Sequence, residues 1–353
     1  MADLTETDLE NMKNHKYKST GYTSLDNKMY SFWNRCALLL PYSYSPNMVT
    51  VTGLFCQFLS IFLIMFYDMT FSETLPPYVY IFCAIMLFLA QTLDAIDGKH
   101  ARNTNRTSSL GQLMDHGCDS MDNFLFCIVL AQAYSFGNTI HTLVLQVGIQ
   151  IPFYTYTLEE HFTGVLRTQL HNVGVTEYQF LAMGLLILSS IMGNYLVSLS
   201  LFGIKIIYIL LYITLIGSIV QSCYLIKINS NNILDLIKFR PLLTLLAFVY
   251  GELYTYKLHF YETKPLLIIL LNGFYYSLFT CKLIINNMAK RNVTIVDIDI
   301  IVYLAGIISC VYIGSKIAEF FILVGITSWL GYRYYHEIIF TIFKLLDYLK
   351  ISF

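Results

Sequence analysis

Long apolar stretches, each broken by a short polar connector, run through most of this chain. They fall near residues 48–67, 77–97, 111–135, 139–157, 175–198, 203–226, 240–258, 264–286, 298–313 and 316–342. Most approach the roughly 20 residues that a helix needs to cross a hydrocarbon core. The pattern predicts an all-α, polytopic membrane protein with about ten transmembrane helices. The 298–313 stretch is short, and 316–342 is long enough to run on past the bilayer. Ahead of the spans, Leu25, Met29, Phe32, Trp33, Cys36, Leu39 and Leu40 recur at helical spacing. That periodicity predicts an amphipathic helix lying in the membrane interface, with Trp33 at the headgroup level. Pro41 and Pro46 then turn the chain into the bilayer.

Lys and Arg set the orientation, because cytoplasmic flanks are enriched in them. Lys13, Lys16, Lys18, Lys28 and Arg35 precede the first span, whereas Asp68 to Pro77 contains neither residue type. A cytosolic N-terminus follows, and alternation returns Lys99, Arg102, Arg106, Arg167, Lys238, Arg240, Lys290, Arg291 and Lys344 to the same side. The expected organisation is a cytosolic segment 1–45 carrying the interfacial helix, a membrane domain 46–345 and a cytosolic tail 346–353. Residues 1–23 hold charges where a signal peptide needs an apolar core, so no cleavable signal is expected.

Composition agrees with the pattern. Of the residues, 56% are hydrophobic and 13% charged, about half the charged share of a soluble domain. A net charge of −1 excludes electrostatic recruitment of nucleic acid. The eight cysteines stand singly, without zinc or disulfide spacing, and are expected to be small core residues.

Against this apolar background, Asp94, Asp97, Asp115 and Asp119 lie within or at the ends of two spans. An Asp at the centre of a membrane helix costs roughly 3 kcal/mol, so four need compensation. Asp94 and Asp97 stand three apart and Asp115 and Asp119 four apart, so each pair shares a helical face. A polar connector, Gly98 to Leu110, folds the two helices into antiparallel neighbours whose carboxylates converge near the cytosolic surface. Hard oxygen ligands suit Mg²⁺, Mn²⁺ or Ca²⁺. Two dications about 4 Å apart would clamp the two oxygens of an in-line phosphoryl displacement. The competing reading is ordinary ion pairing with Lys99, Arg102 and Arg106. Gly98, Ala101 and Gly111 leave room for a flat base or a phosphate, and Arg102 offers a planar donor to phosphate oxygens.

Together these positions spell Asp94-x2-Asp97-Gly98-x2-Ala101-Arg102-x8-Gly111-x3-Asp115-x3-Asp119, and the string resembles the signature of the CDP-alcohol phosphotransferase family. The longer run from Gln91 to Ser120, especially Asp115-His116-Gly117-Cys118-Asp119, is similar to the eukaryotic choline/ethanolamine phosphotransferase branch. Pro46-Asn47-Met48-Val49-Thr50 and Leu158 to Gly164 are similar to that branch as well. The resemblance implies a core at about 46–200 and transfer of phosphocholine or phosphoethanolamine from CDP-choline or CDP-ethanolamine to diacylglycerol, with release of CMP. It implies that Asp94, Asp97, Asp115 and Asp119 hold two Mg²⁺ or Mn²⁺ ions, with Asn47, Gly98, Ala101, Arg102 and Gly111 around the CDP-alcohol.

Proton transfer from the acceptor hydroxyl needs a base. His116 titrates in the useful range and neighbours Asp115, with Asp119 as the alternative. The cationic headgroup calls for carboxylates or aromatic faces, and Glu160 and Glu177 are the acidic candidates. The resemblance further implies a homodimer in the endoplasmic reticulum or Golgi membrane with a cytosol-facing site. Two other readings remain: a transferase using inositol or glycerol phosphate, and a divalent-cation channel or transporter. The second leaves Gly98, Ala101, Arg102 and Gly111 unexplained. It would also scatter carboxylates across the membrane, whereas the spans beyond residue 180 are expected to be almost free of buried ones.

Overall fold

In the computed structural model, residues 4–16, 18–167, 169–170, 173–229, 240–293 and 297–351 are described. Lys238, assigned above to the cytosolic side, lies outside them, as do the outermost residues of both terminal segments. The helices are α1 (Glu6–Lys13), α2 (Ser24–Leu39), α3 (Pro46–Tyr67), α4 (Pro77–Asn103), α5 (Ser109–Tyr134), α6 (Ile140–Thr163), α7 (Val175–Met192), α8 (Asn194–Ser198), α9 (Ile206–Ile228), α10 (Pro241–Tyr254), α11 (His259–Thr263), α12 (Pro265–Met288), α13 (Ile298–Ile313), α14 (Lys316–Tyr334) and α15 (Phe340–Leu349). Ten of them coincide with the ten apolar stretches. The protein is an all-α, polytopic integral membrane protein. Five of the helices, α3, α4, α7, α9 and α12, are individually long and apolar enough to span a bilayer.

Local chemistry explains the boundaries. Proline occupies the first turn of α3, α4, α10 and α12, where its missing N–H costs no hydrogen bond. Pro152 lies inside α6 and leaves the Gly148 carbonyl without its usual donor. Ser218 of α9 repairs this, donating its hydroxyl to Gly148 O at 2.5 Å. Thr23 and Asp26 form a capping box that starts α2.

Several expectations need correction. The Gly98–Leu110 connector is mostly helix: α4 runs on to Asn103, so the turn is residues 104–108. Trp33 does not sit among headgroups. It is only 5% exposed and packs with Ala37, Val49 and Ile96, while Leu38 and Leu39 carry the apolar surface of α2 outward. Among the cysteines, Cys223 is exposed and Cys36 half-buried. At the C-terminal end, α14 passes through a π-helical turn, Tyr335–Ile339, into α15, so helix extends into the expected tail as far as Leu349. Beyond residue 180, Glu252, Asp299, Glu319 and Glu337 are all buried. That part of the chain is not free of carboxylates.

The core gathers around α12, whose middle and C-terminal half are enclosed. Its contact with α5 is intimate, because a Cβ at Gly273 would lie 2.3 Å from the Phe124 ring and 2.8 Å from Phe124 Cβ. One turn further on, Ser120 and Ser277 hydroxyls meet at 2.6 Å. The helix carrying Asp115 and Asp119 is thereby fixed from behind. Gly273→Ala is expected to destabilise the fold by about 1–3 kcal/mol through overpacking. The check is thermal unfolding in detergent, and an unchanged melting temperature would show that α5 and α12 can separate freely.

Candidate active site

Two helices carry the carboxylates and a third braces them. Asp94, Asp97 and Asp115 each present an oxygen within 4.8 Å of the others. Asp119, the fourth predicted member, is outside that triplet but close enough to Asp94 to interact with it electrostatically. All four predicted aspartates therefore come together, three in a ring and the fourth against one of them. Asp97 is buried and Asp94 exposed, so the ring has an enclosed side and an open one.

Asp97 is positioned by its surroundings. Thr50 of α3 donates to its Oδ2 at 2.5 Å, and the Gly98 N–H donates to its Oδ1. Thr50 was not singled out as a site residue, although it closes the Pro46–Thr50 string. The available signal was its spacing of three from Asn47, which puts both on one face of α3. Asn47 is buried, and its Oδ1 lies 3.6 Å from where a Cβ on Gly111 would sit. Ser108 caps α5 by accepting the Gly111 N–H at 3.1 Å. Over Gly98, the Arg102 guanidinium lies 3.5 Å from a would-be Cβ. Ala101 stands half-buried between Gly98 and the end of α4.

The ion-pair reading fails on geometry. Among the described residues, none of the four aspartates pairs with Lys99, Arg102 or Arg106. Lys99 instead donates to the Ala95 carbonyl at 3.1 Å and stands over the Tyr30 and Trp33 rings. Asp122, one turn beyond Asp119, has a buried Oδ1 with no partner among the described residues. Clustered carboxylates lacking a cationic partner, with an orphaned oxygen beside them, fit hard divalent ions.

His116, next to Asp115, points to another face of α5. Its Nδ1 is 4.0 Å from Glu160 Oε2 of α6, and both side chains are buried. Glu160 Oε1 also accepts from Gln112 Nε2 at 3.3 Å. Glu160 thus belongs beside His116. Glu177 serves differently: its Oε2 accepts the Gly174 N–H at 2.8 Å and closes a capping box at the start of α7. That bond gives Glu177 a structural part at the helix start.

A model of the CDP-alcohol phosphatidyltransferase family matches residues 43–220. An uncharacterized class-I member of that family from Dictyostelium discoideum is 35% identical over 193 residues, 54% of this chain and 48% of that protein. Cholinephosphotransferase 1 of Rattus norvegicus is 32% identical over 226 residues, 62% of this chain and 55% of the relative. The human cholinephosphotransferase 1 is 28% identical over 312 residues, covering 83% of this chain and 75% of the relative. The chain thus spans about half the length of the first two relatives.

Mg²⁺ or Mn²⁺ is expected to raise the melting temperature of the wild type and not of Asp97→Asn. Thr50→Val, which loses the hydroxyl that orients Asp97, should need about 10–100 times more metal for the same shift. A metal midpoint identical to wild type would show that Thr50 does not tune this carboxylate.

Proposed function

Because the chain belongs to the CDP-alcohol phosphatidyltransferase family, we propose that it transfers phosphocholine or phosphoethanolamine from the CDP-alcohol to diacylglycerol, releasing CMP and a phosphatidyl lipid. The observation that carries this reading is the ring of Asp94, Asp97 and Asp115, with Asp119 beside it and, among the described residues, no cationic side chain paired to it. The names of the cholinephosphotransferase relatives support the choice of headgroup class.

Asp94, Asp97, Asp115 and Asp119 would hold two Mg²⁺ or Mn²⁺ ions. Bound there, divalent ions would neutralise the diphosphate and the charge left on departing CMP. Gly98, Ala101 and Gly111 keep the approach clear for the nucleotide, Asn47 borders it at Gly111, and Arg102 supplies a planar donor to a phosphate oxygen. Glu160 faces Nδ1 of His116, and the imidazole takes the acceptor hydroxyl's proton. Apo geometry of 4.0 Å is longer than a hydrogen bond and would tighten with substrate. The hydroxyl oxygen then bonds to phosphorus as the bond to the CMP oxygen breaks, and no covalent enzyme intermediate is needed.

In this reading residues 46–345 form the catalytic unit, with its core at about 46–200. Segments 1–45 and 346–353 face the cytosol, from which the CDP-alcohol arrives, while diacylglycerol enters laterally from the bilayer. An endoplasmic reticulum or Golgi location and a homodimer belong to the same reading through the family resemblance.

The test is CMP release by the purified chain in lipid with CDP-choline or CDP-ethanolamine, diacylglycerol and Mg²⁺ or Mn²⁺. Turnover is expected in the wild type, with loss on chelation and in Asp115→Ala, and a drop of about 10²–10⁴ in His116→Ala. Turnover only with glycerol phosphate or inositol as acceptor would reassign the branch, and full activity in Asp115→Ala would remove the proposed site.

A further inference from the structure

The N-terminal arm lies outside the family-matched residues 43–220, yet it is tied down at two ends. Arg291, just past α12, donates from Nε to Asp8 Oδ1 at 2.9 Å and from Nη2 to Asp8 Oδ2 at 2.6 Å. Asn11 Nδ2 donates to the Ala289 carbonyl at 3.1 Å, and Met12 is fully buried. Further along, β1 (Ser19–Thr20) pairs in parallel with β2 (Leu166–Arg167), which follows α6. A two-pronged guanidinium–carboxylate bond fixes orientation as well as proximity. Arg291 also holds the Asp8 carboxyl well below the usual carboxylate range. A depressed carboxylate contributes its stability above the unfolded pKa and loses it only as pH falls through the folded one, so this latch is intact throughout neutral pH.

Between these two anchorages, His15 reaches inward. Its Nε2 lies 3.2 Å from Gln112 Nε2, the same nitrogen that donates to Glu160 Oε1 at 3.3 Å. One amide NH₂ carries two N–H groups, so one can serve Glu160 and the other His15, provided the histidine nitrogen accepts. Burial and the nearby positive charge of Lys290 push His15 below its ordinary pKa, which favours that neutral, accepting form. Asn287 in the last turn of α12 lies close enough to Glu160 to interact with its carboxylate. Glu160 Oε2 faces His116 Nδ1. A line of contacts thus runs His15, Gln112, Glu160, His116, and it starts on the arm.

Resting on the reading of His116 as the base, we infer that the N-terminal arm is a strap completing the active site, with His15 as a positioning residue that fixes the Gln112 amide and, through it, the Glu160 carboxylate that steers His116. His15 acts through Gln112 and Glu160. Its work is to stop the Gln112 amide from turning, and Asp8–Arg291 keeps His15 within reach.

Kinetics of CMP release by the full chain in lipid test this. His15→Ala should lower kcat about tenfold while the CDP-alcohol KM stays within about twofold, since a small misplacement of a reacting group costs rate and not ground-state binding. His15→Gln, which keeps an acceptor, should recover most of the rate. His15→Ala placed on Gln112→Ala should add little, because both act through one contact. Full speed in His15→Ala, an equal loss in His15→Gln, or additive losses would each overturn the positioning role. Hydrogen exchange judges the strap without turnover: amides of Glu6–Lys13 should exchange slowly in the wild type and quickly in Arg291→Gln. Unprotected amides in the wild type would sink the inference whatever the activity. A wild type inert toward every CDP-alcohol, with a protected arm, would instead count against the proposed reaction.

Discussion

Mutual repulsion among carboxylates in a poorly polarisable setting is the constraint that organises this molecule. Three aspartates place oxygens within 4.8 Å of one another. At such separations two full negative charges repel by about 4 kcal/mol even at an effective dielectric near 20. No surface ion pair offsets a set of these, since exposed pairs contribute about 1 kcal/mol or less. Helix packing must therefore hold α4 and α5 together against their own charge. The interlock of Gly273 with Phe124 and the Ser120–Ser277 contact do this from one side, and Thr50 of α3 does it from the other. The rigid frame holds the carboxylates together, and the proposed cations would relieve their repulsion.

Three other buried carboxylates show what relief from within looks like, whereas Glu252, fully buried, has neither oxygen partnered among the described residues. Asp299 takes Lys282 at 2.7 Å, Arg333 at 2.8 Å and the Trp329 indole N–H at 2.9 Å, while Glu337 takes Arg333 at 2.6 Å. Glu319 accepts the backbone N–H groups of His259 and Phe260 at the start of α11. Each is neutralised or hydrogen-bonded by the protein, and each ties neighbouring elements together. Only an inventory of partners distinguishes these structural acids from the signature aspartates, because both kinds are polar residues in apolar stretches. Channel-like scatter of carboxylates through the membrane is therefore the wrong description of the later spans: most of their acids are struts.

That distinction also marks how far the sequence could be read. The succession of apolar helices and the pairing of aspartates on one helical face follow from hydropathy and from residues three or four apart, which are properties of a single helix. Connections between helices were not legible in the same way. Thr50 bonding Asp97 and Glu160 facing His116 are set by tertiary neighbours, whereas Glu177 closes a local helix cap three residues from Gly174. Trp33 was misplaced for a related reason. Amphipathic periodicity identifies an apolar face without saying whether lipid or protein covers it, and here Val49 and Ile96 do. The Gly98–Leu110 connector was overdrawn because polarity resembles a loop, whereas α4 continues to Asn103 with its polar residues emerging from the apolar layer.

In the proposed reaction the site separates into two chemical jobs carried by different parts of the chain. The α4–α5 pair supplies concentrated negative charge, and its signature spacing is enough to do so. Orientation comes from elsewhere: Asn47 and Thr50 from α3, Glu160 from α6, Asn287 from α12, and His15 from an arm that precedes the first span. Charge tolerates small displacements, since Coulomb energy varies slowly with distance. Proton transfer does not, because it needs a donor and acceptor within hydrogen-bond reach. It follows physically that the charged elements can be compact and contiguous, while the proton-handling side must draw on distant segments to immobilise one imidazole. The line from His15 through Gln112 and Glu160 to His116 takes in four side chains, which is the kind of support that the proposed base, 4.0 Å from its carboxylate, requires.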